Sequence, residues 1–253
     1  MSNTWRKHLK LASWAAVIAI LASLILLPYQ LKIVTMPTVP GIPMAVLLAL
    51  SIFQTSVMVF VLSLLGSRLA EAVQLPLPIL RGYVEGRKGA VWDKQSFYWS
   101  LGMGILVALL ITVLDRYVFS PSIPGLVNLE QQVPRWYGLL TVPYGGIVEE
   151  LMLRLGVMSM TVWLLAKITR SRFSAIPTWV YVCGIVLAAI VFGLLHLPAT
   201  IQIFGELTPV LILRGILLNG IGGVVYGTLF WKRGLEYAMV AHMAGDVVLH
   251  VVF

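Results

Sequence analysis

Three short stretches of this 253-residue chain carry side chains that could do chemistry. GGIVEELMLR, residues 145–154, supplies Glu149, Glu150 and Arg154. FGLLH sets Phe192 and His196 four residues apart, and HMAGD does the same for His242 and Asp246. These residue types suit hydrolysis. Cleaving a peptide bond needs an activated water and donors for the developing oxyanion. A carboxylate in a partly dry cavity is a stronger base than one in water, and a neutral imidazole N–H can donate to an oxyanion. Such a reaction requires no metal and no cofactor.

The surroundings make these residues costly. All lie inside long apolar runs, where an ionisable group near the bilayer centre costs about 2.5–3.5 kcal/mol on insertion scales. Several such groups in three segments imply mutual pairing or a water-filled cavity, and a functional site is the default reading. Glu150 and Arg154 are four apart on one helical face and can pair, so they read as structural. Glu149 is turned about 100° away, onto a face with no local cation, and reads as functional. Arg214 is expected to snorkel to the outer surface. His250, near the C-terminal end, is expected at the membrane interface. The small residues of NGIGGVVYG, residues 219–227, suit close helix packing more than substrate contact.

The elements that position these residues are transmembrane helices. The chain is 59% hydrophobic and 11% charged, with a mean hydropathy of +0.94. So few charges cannot clothe a soluble surface. Seven segments are long enough to span, at roughly 11–28, 43–66, 98–119, 135–167, 177–198, 208–230 and 235–253. The first follows a basic stretch but lacks a small-x-small cleavage site, so it reads as an uncleaved helix. The expected fold is an all-α, polytopic bundle. The net charge of +8 does not indicate nucleic acid, because the basic residues sit in connections between apolar runs. Thirteen fall at one set of helix ends and three (Lys32, Arg116, Arg135) at the other. The positive-inside rule then puts the N-terminus in the cytoplasm and the C-terminus outside. The loop from about 67 to 97 reads as a solvated connection. The first three helices carry almost no ionisable residues. The single cysteine, Cys183, permits no intrachain disulfide.

In order along the chain, the motifs read E-E-x-x-x-R, F-x-x-x-H and H-x-x-x-D. This set resembles the CPBP family of intramembrane proteases, which includes the CAAX prenyl endopeptidases and bacteriocin-immunity-like members. The resemblance covers roughly residues 135–250. It divides the chain into N-terminal helices with a cytoplasmic loop (1–134) and a catalytic helix core (135–253). It implies Glu149 as general base, His196 as its partner in holding water, and His242 with Asp246 at the oxyanion. Glu150, Arg154 and Phe192 would support them. The implied partners are membrane lipid and a peptide or membrane-protein substrate, and the implied location is a bacterial cytoplasmic membrane. Two departures stand out: Leu153 and Leu155 flank Arg154 where the family often has an aromatic residue and glycine, and Asp246 replaces a common Asn.

Other readings compete. Glu149, His196, His242 and Asp246 are all zinc-ligand types, but no H-E-x-x-H motif is present. An aspartyl protease using Asp115 and Asp246 lacks G-x-G-D. A serine protease of the rhomboid kind lacks its Gly-x-Ser motif. A scaffold or immunity protein could use the same polar site to bind a peptide without cleaving it. Transport is disfavoured by the lack of an inverted repeat.

Overall fold

The computed structural model describes residues 3–33, 38–86, 92–123 and 133–252, with side chains from residue 5 onward. Basic residues 87 and 88 and Gly89 of the 67–97 loop lie outside the described residues. The described residues are helical and contain no strand. All seven expected spans are present, as Trp5–Ile33, Met44–Ala72, Lys94–Ser122, Arg135–Ile168, Thr178–Phe204, Pro209–Lys232 and Leu235–Val252. In hydrocarbon each backbone N–H and C=O must be satisfied within its own segment, and helices achieve this.

We label the α-helices α1 (Asn3–Ile33), α2 (Met44–Ala72), α3 (Pro78–Glu85), α4 (Lys94–Leu114), α5 (Ser159–Ile168), α6 (Thr178–Leu195), α7 (Leu197–Phe204), α8 (Pro209–Lys232) and α9 (Leu235–Val247). The fourth span is not a plain α-helix. After Pro143 it runs through wide π-helical turns at Tyr144–Glu149 and Leu151–Met158 before becoming α5. Such turns are rare and collect at functional sites.

The fourth span packs against α2 and α6, and α9 packs against α4 and α8. Large apolar side chains such as Leu106, Leu213 and Phe53 stay exposed on the outside, where lipid is the solvent. At Gly104 on α4 an added Cβ would stand 2.9 Å from the Cα of Ala241. The two backbones touch there, which fixes the depth and rotation of α9 one residue before His242.

One expectation needs correction. The 67–97 segment is more than a solvated connection. Leu75, Leu77 and Ile79 are buried, and α3 forms within it. Buried Glu236, at the start of α9, accepts from the N–H groups of Ile79 (2.9 Å) and Leu80 (2.6 Å). It thereby caps α3 and ties that segment to α9. The first helices keep their ionisable groups at their ends, and these meet across the bundle. Buried His8 meets Ser67 Oγ at 2.9 Å and Glu71 at 3.2 Å, and Lys7 pairs with Glu71 at 2.8 Å. Apolar spacing hides this cluster because its members lie 64 and 59 residues apart in sequence.

Candidate active site

His242 lies at the centre of the polar constellation. Its Nδ1 is 2.7 Å from Glu150 Oε1, and both side chains are buried. Its Nε2 faces Asp246 Oδ1 at 3.5 Å and Glu149 Oε2 at 3.8 Å. The ring is gripped on two sides. Tyr226 stacks on it with centroids 4.5 Å apart and planes at 21°, and Phe192 meets it edge-on at 5.8 Å. Ring position is thus set by two aromatic contacts and one carboxylate.

Regular helix geometry sends Glu149 and Glu150 to different places, yet both reach His242. The wide π-helical turns lessen the angle between successive side chains, so the neighbours converge. They differ in exposure. Glu150 is 0% exposed, whereas Glu149 is 17% exposed and faces a cavity. Glu149 Oε1 is also 4.0 Å from His196 Nε2. His196 is oriented by its other nitrogen, with Nδ1 donating to the Phe192 carbonyl at 2.8 Å, and its ring packs edge-on against Phe192 at 4.7 Å. Separations of 3.8–4.0 Å are too long for direct hydrogen bonds and leave room for a bridging water.

The cavity has a volume of about 740 Å³. Glu149, His196, His242 and Asp246 all line it, and α1 and the turn that follows α4 contribute Tyr29 and Asp115. The glycines that open GGIVEELMLR have a steric reason. A Cβ on Gly145 would collide with Asp246 Oδ2 and come within 3.3 Å of His242 Nε2. Only a bare backbone lets the fourth span approach α9 at the site.

Arg154 is 1% exposed and lies 3.2 Å from Glu150, but none of its side-chain nitrogens forms a hydrogen bond. Its guanidinium instead lies over the rings of Phe192 (4.7 Å) and Tyr226 (5.5 Å). The pairing expected from the four-residue spacing is present. Its added consequence is that the arginine braces the two rings that hold His242.

Every residue expected at the site is brought together, and others join them. Tyr226 is an addition; it stands six residues before the end of its span at Lys232, and nothing in the sequence separates it from a packing residue. Arg214 does not snorkel. Its Nε donates to Asp115 Oδ1 at 2.7 Å and its Nη2 to Asp115 Oδ2 at 2.5 Å, on the cavity wall. That pair also removes Asp115 as a partner for Asp246 in an aspartyl dyad. The NGIGGVVYG stretch divides: Gly223 packs on Ala189 as expected, while Asn219 and Gly222 line the cavity. His250 lines it as well and packs edge-on to Tyr29 at 6.5 Å. Among the described residues, no three His, Cys, Asp or Glu side chains gather as a metal-holding group.

No curated protein and no solved structure gives a match to the chain. Residues 131–248, the stretch that holds every motif residue, match the Rce1-like family, described as type II CAAX prenyl endopeptidase Rce1-like, and this match together with the membrane bundle supports an intramembrane protease.

Proposed function

We propose that the protein is a glutamate-type intramembrane endopeptidase, acting on a membrane-associated protein or peptide without a metal. The observation that carries this reading is Glu149, a carboxylate open to the cavity and 3.8–4.0 Å from an imidazole nitrogen on each side. A water held between Glu149 and His196 loses a proton to Glu149 as it attacks the scissile carbonyl carbon. The C–N bond then breaks, and Glu149 returns the proton to the leaving amine.

His242 answers the oxyanion in this reading, and its contact with Glu150 supports a particular form of the ring. With Nδ1–H given to Glu150, a neutral ring has a bare Nε2 that can only accept. The donor is therefore the imidazolium, whose countercharges are Glu150, Asp246 and Glu149. The proposal thus takes the charged ring, in place of a neutral one, as the donor. Asp246, 3.5 Å from Nε2, helps keep that proton in place and aims it at the cavity.

The charge count favours an N-terminus in the cytoplasm, and topology reporters fused after residues 90 and 253 should give opposite signals. The function itself is tested with purified protein and a library of quenched fluorescent decapeptides. We expect turnover that survives strong chelation. Activity lost to chelator and restored by zinc contradicts the mechanism; stoichiometric peptide binding without turnover favours the scaffold reading.

A further inference from the structure

The Arg214–Asp115 pair has unused capacity. A guanidinium carries five N–H donors in one plane. Asp115 takes one from Nε and one from Nη2, which leaves about three, on Nη1 and Nη2. Among the described residues Arg214 makes no other hydrogen bond. Its side chain is 24% exposed and lines the same cavity as Glu149. Within a low-dielectric bundle, donors left facing a cavity call for an acceptor.

Arg214, Leu218, Gly222 and Tyr226 recur every fourth residue on α8 and all line the cavity. One helix face therefore runs from the ion pair to the ring stacked on His242. The twelve steps from Arg214 to Tyr226 cover about 18 Å of helix axis. An extended peptide of about five residues spans that length.

The charge balance selects the acceptor. Asp115 already cancels Arg214, and Glu149 and Asp246 line the same cavity. A substrate carboxylate would add a further unbalanced negative charge there, whereas a peptide carbonyl adds none. We propose that the free edge of Arg214 is a docking site for backbone carbonyl oxygens of the substrate, within about five residues of the scissile bond. Asp115 holds that edge in place. The inference rests on the peptidase reading, and it assigns a positioning role to two residues that take no part in the chemistry. Asp115 lies outside the family-matched stretch.

The test scans the library decapeptide that the Glu149→Gln protein binds most tightly, with capped ends, by replacing one amide at a time with a trans-alkene that lacks the carbonyl. Binding is measured by fluorescence anisotropy on the Glu149→Gln protein, and KM and kcat on the otherwise unaltered chain. In both, one or two alkene positions up to five residues from the cleaved bond should weaken binding or raise KM about tenfold. On an Arg214→Gln background the same positions should cost less than twofold. The Asp115→Asn/Arg214→Gln double variant leaves no unpaired charge, so its melting temperature should stay close to the parent's while KM for the all-amide peptide rises about tenfold. Equal alkene costs with and without Arg214 would overturn the proposal. So would an Arg214 effect confined to peptides with a free terminal carboxylate. Because the anisotropy experiment needs no turnover, it separates failure of this proposal from failure of the peptidase reading.

Discussion

Among the described residues, two arginine–carboxylate pairs lie inside the membrane-spanning part of the bundle, and they are built differently. Glu150–Arg154 joins neighbours on one helix and is sealed from solvent, at 0% and 1% exposure. Asp115–Arg214 joins residues 99 apart and stands on a cavity wall, with about a fifth to a quarter of each side chain exposed. The first makes no hydrogen bond from its guanidinium; the second makes two. Burial without hydrogen bonds suits a brace, since every contact of Arg154 named above leads to a group that touches His242. Exposure with spare donors suits recognition. The same two chemical groups take separate roles because one pair has water within reach and the other does not.

Removing one partner should separate the pairs most sharply. Arg154→Met leaves buried Glu150 with His242 as its remaining partner, and breaking a buried ion pair costs about 3–5 kcal/mol. Detergent-solubilised yield and melting temperature should fall steeply, and adding Glu150→Gln should recover part of the loss. Arg214→Gln should cost less, since water in the cavity can reach Asp115. Equal thermal losses from Arg154→Met and Arg214→Gln would erase the distinction between brace and recognition pair.

The next effect is on rate. His242→Ala removes the proposed oxyanion donor and should lower kcat about 10²–10³-fold. Asp246→Asn keeps the shape and a hydrogen-bonding oxygen near Nε2, so its loss should stay near tenfold. Kinetics of both variants on one peptide decide the matter. Equal losses would mean that the Asp246 carboxylate itself takes part in the chemistry.

Tyr226 gives the smallest expected change and the finest resolution. Tyr226→Phe keeps the ring stacked on His242 and should change kcat less than threefold. Tyr226→Leu removes the stack and one of the two faces over Arg154, and should lower kcat about tenfold with KM little changed. If Tyr226→Phe lost as much as Tyr226→Leu, the hydroxyl rather than the ring would be the active part.

The spans are legible because an apolar run of about 20 residues matches the thickness of the bilayer core and seldom arises in a soluble domain. The three motifs are legible because four-residue spacing on a helix brings side chains to one face, as with Glu150 and Arg154. Less legible is whatever depends on how helices turn and meet. Regular helix geometry sends Glu149 and Glu150 apart; the π-helical turns that reunite them have no clear residue signature beyond Pro143 and the glycines after it. Arg214 has no partner in its own stretch of sequence, because Asp115 is far away and outside the motif region. Tyr226 reads as ordinary packing until His242 is found against its ring. Glu236 gives no sign of its role, because the helix it caps reads as a loop.

In the proposed reaction Glu149, and not its neighbour, activates water. The most direct test of that step is kcat for Glu149→Gln on the best-cleaved peptide, with the melting temperature measured on the same preparation. The amide keeps the size of the carboxylate but cannot take a proton from water. The expected result is a protein as stable as the parent, with cleavage lowered at least about 10³-fold. A stable Glu149→Gln protein that cleaves within tenfold of the parent rate would contradict it.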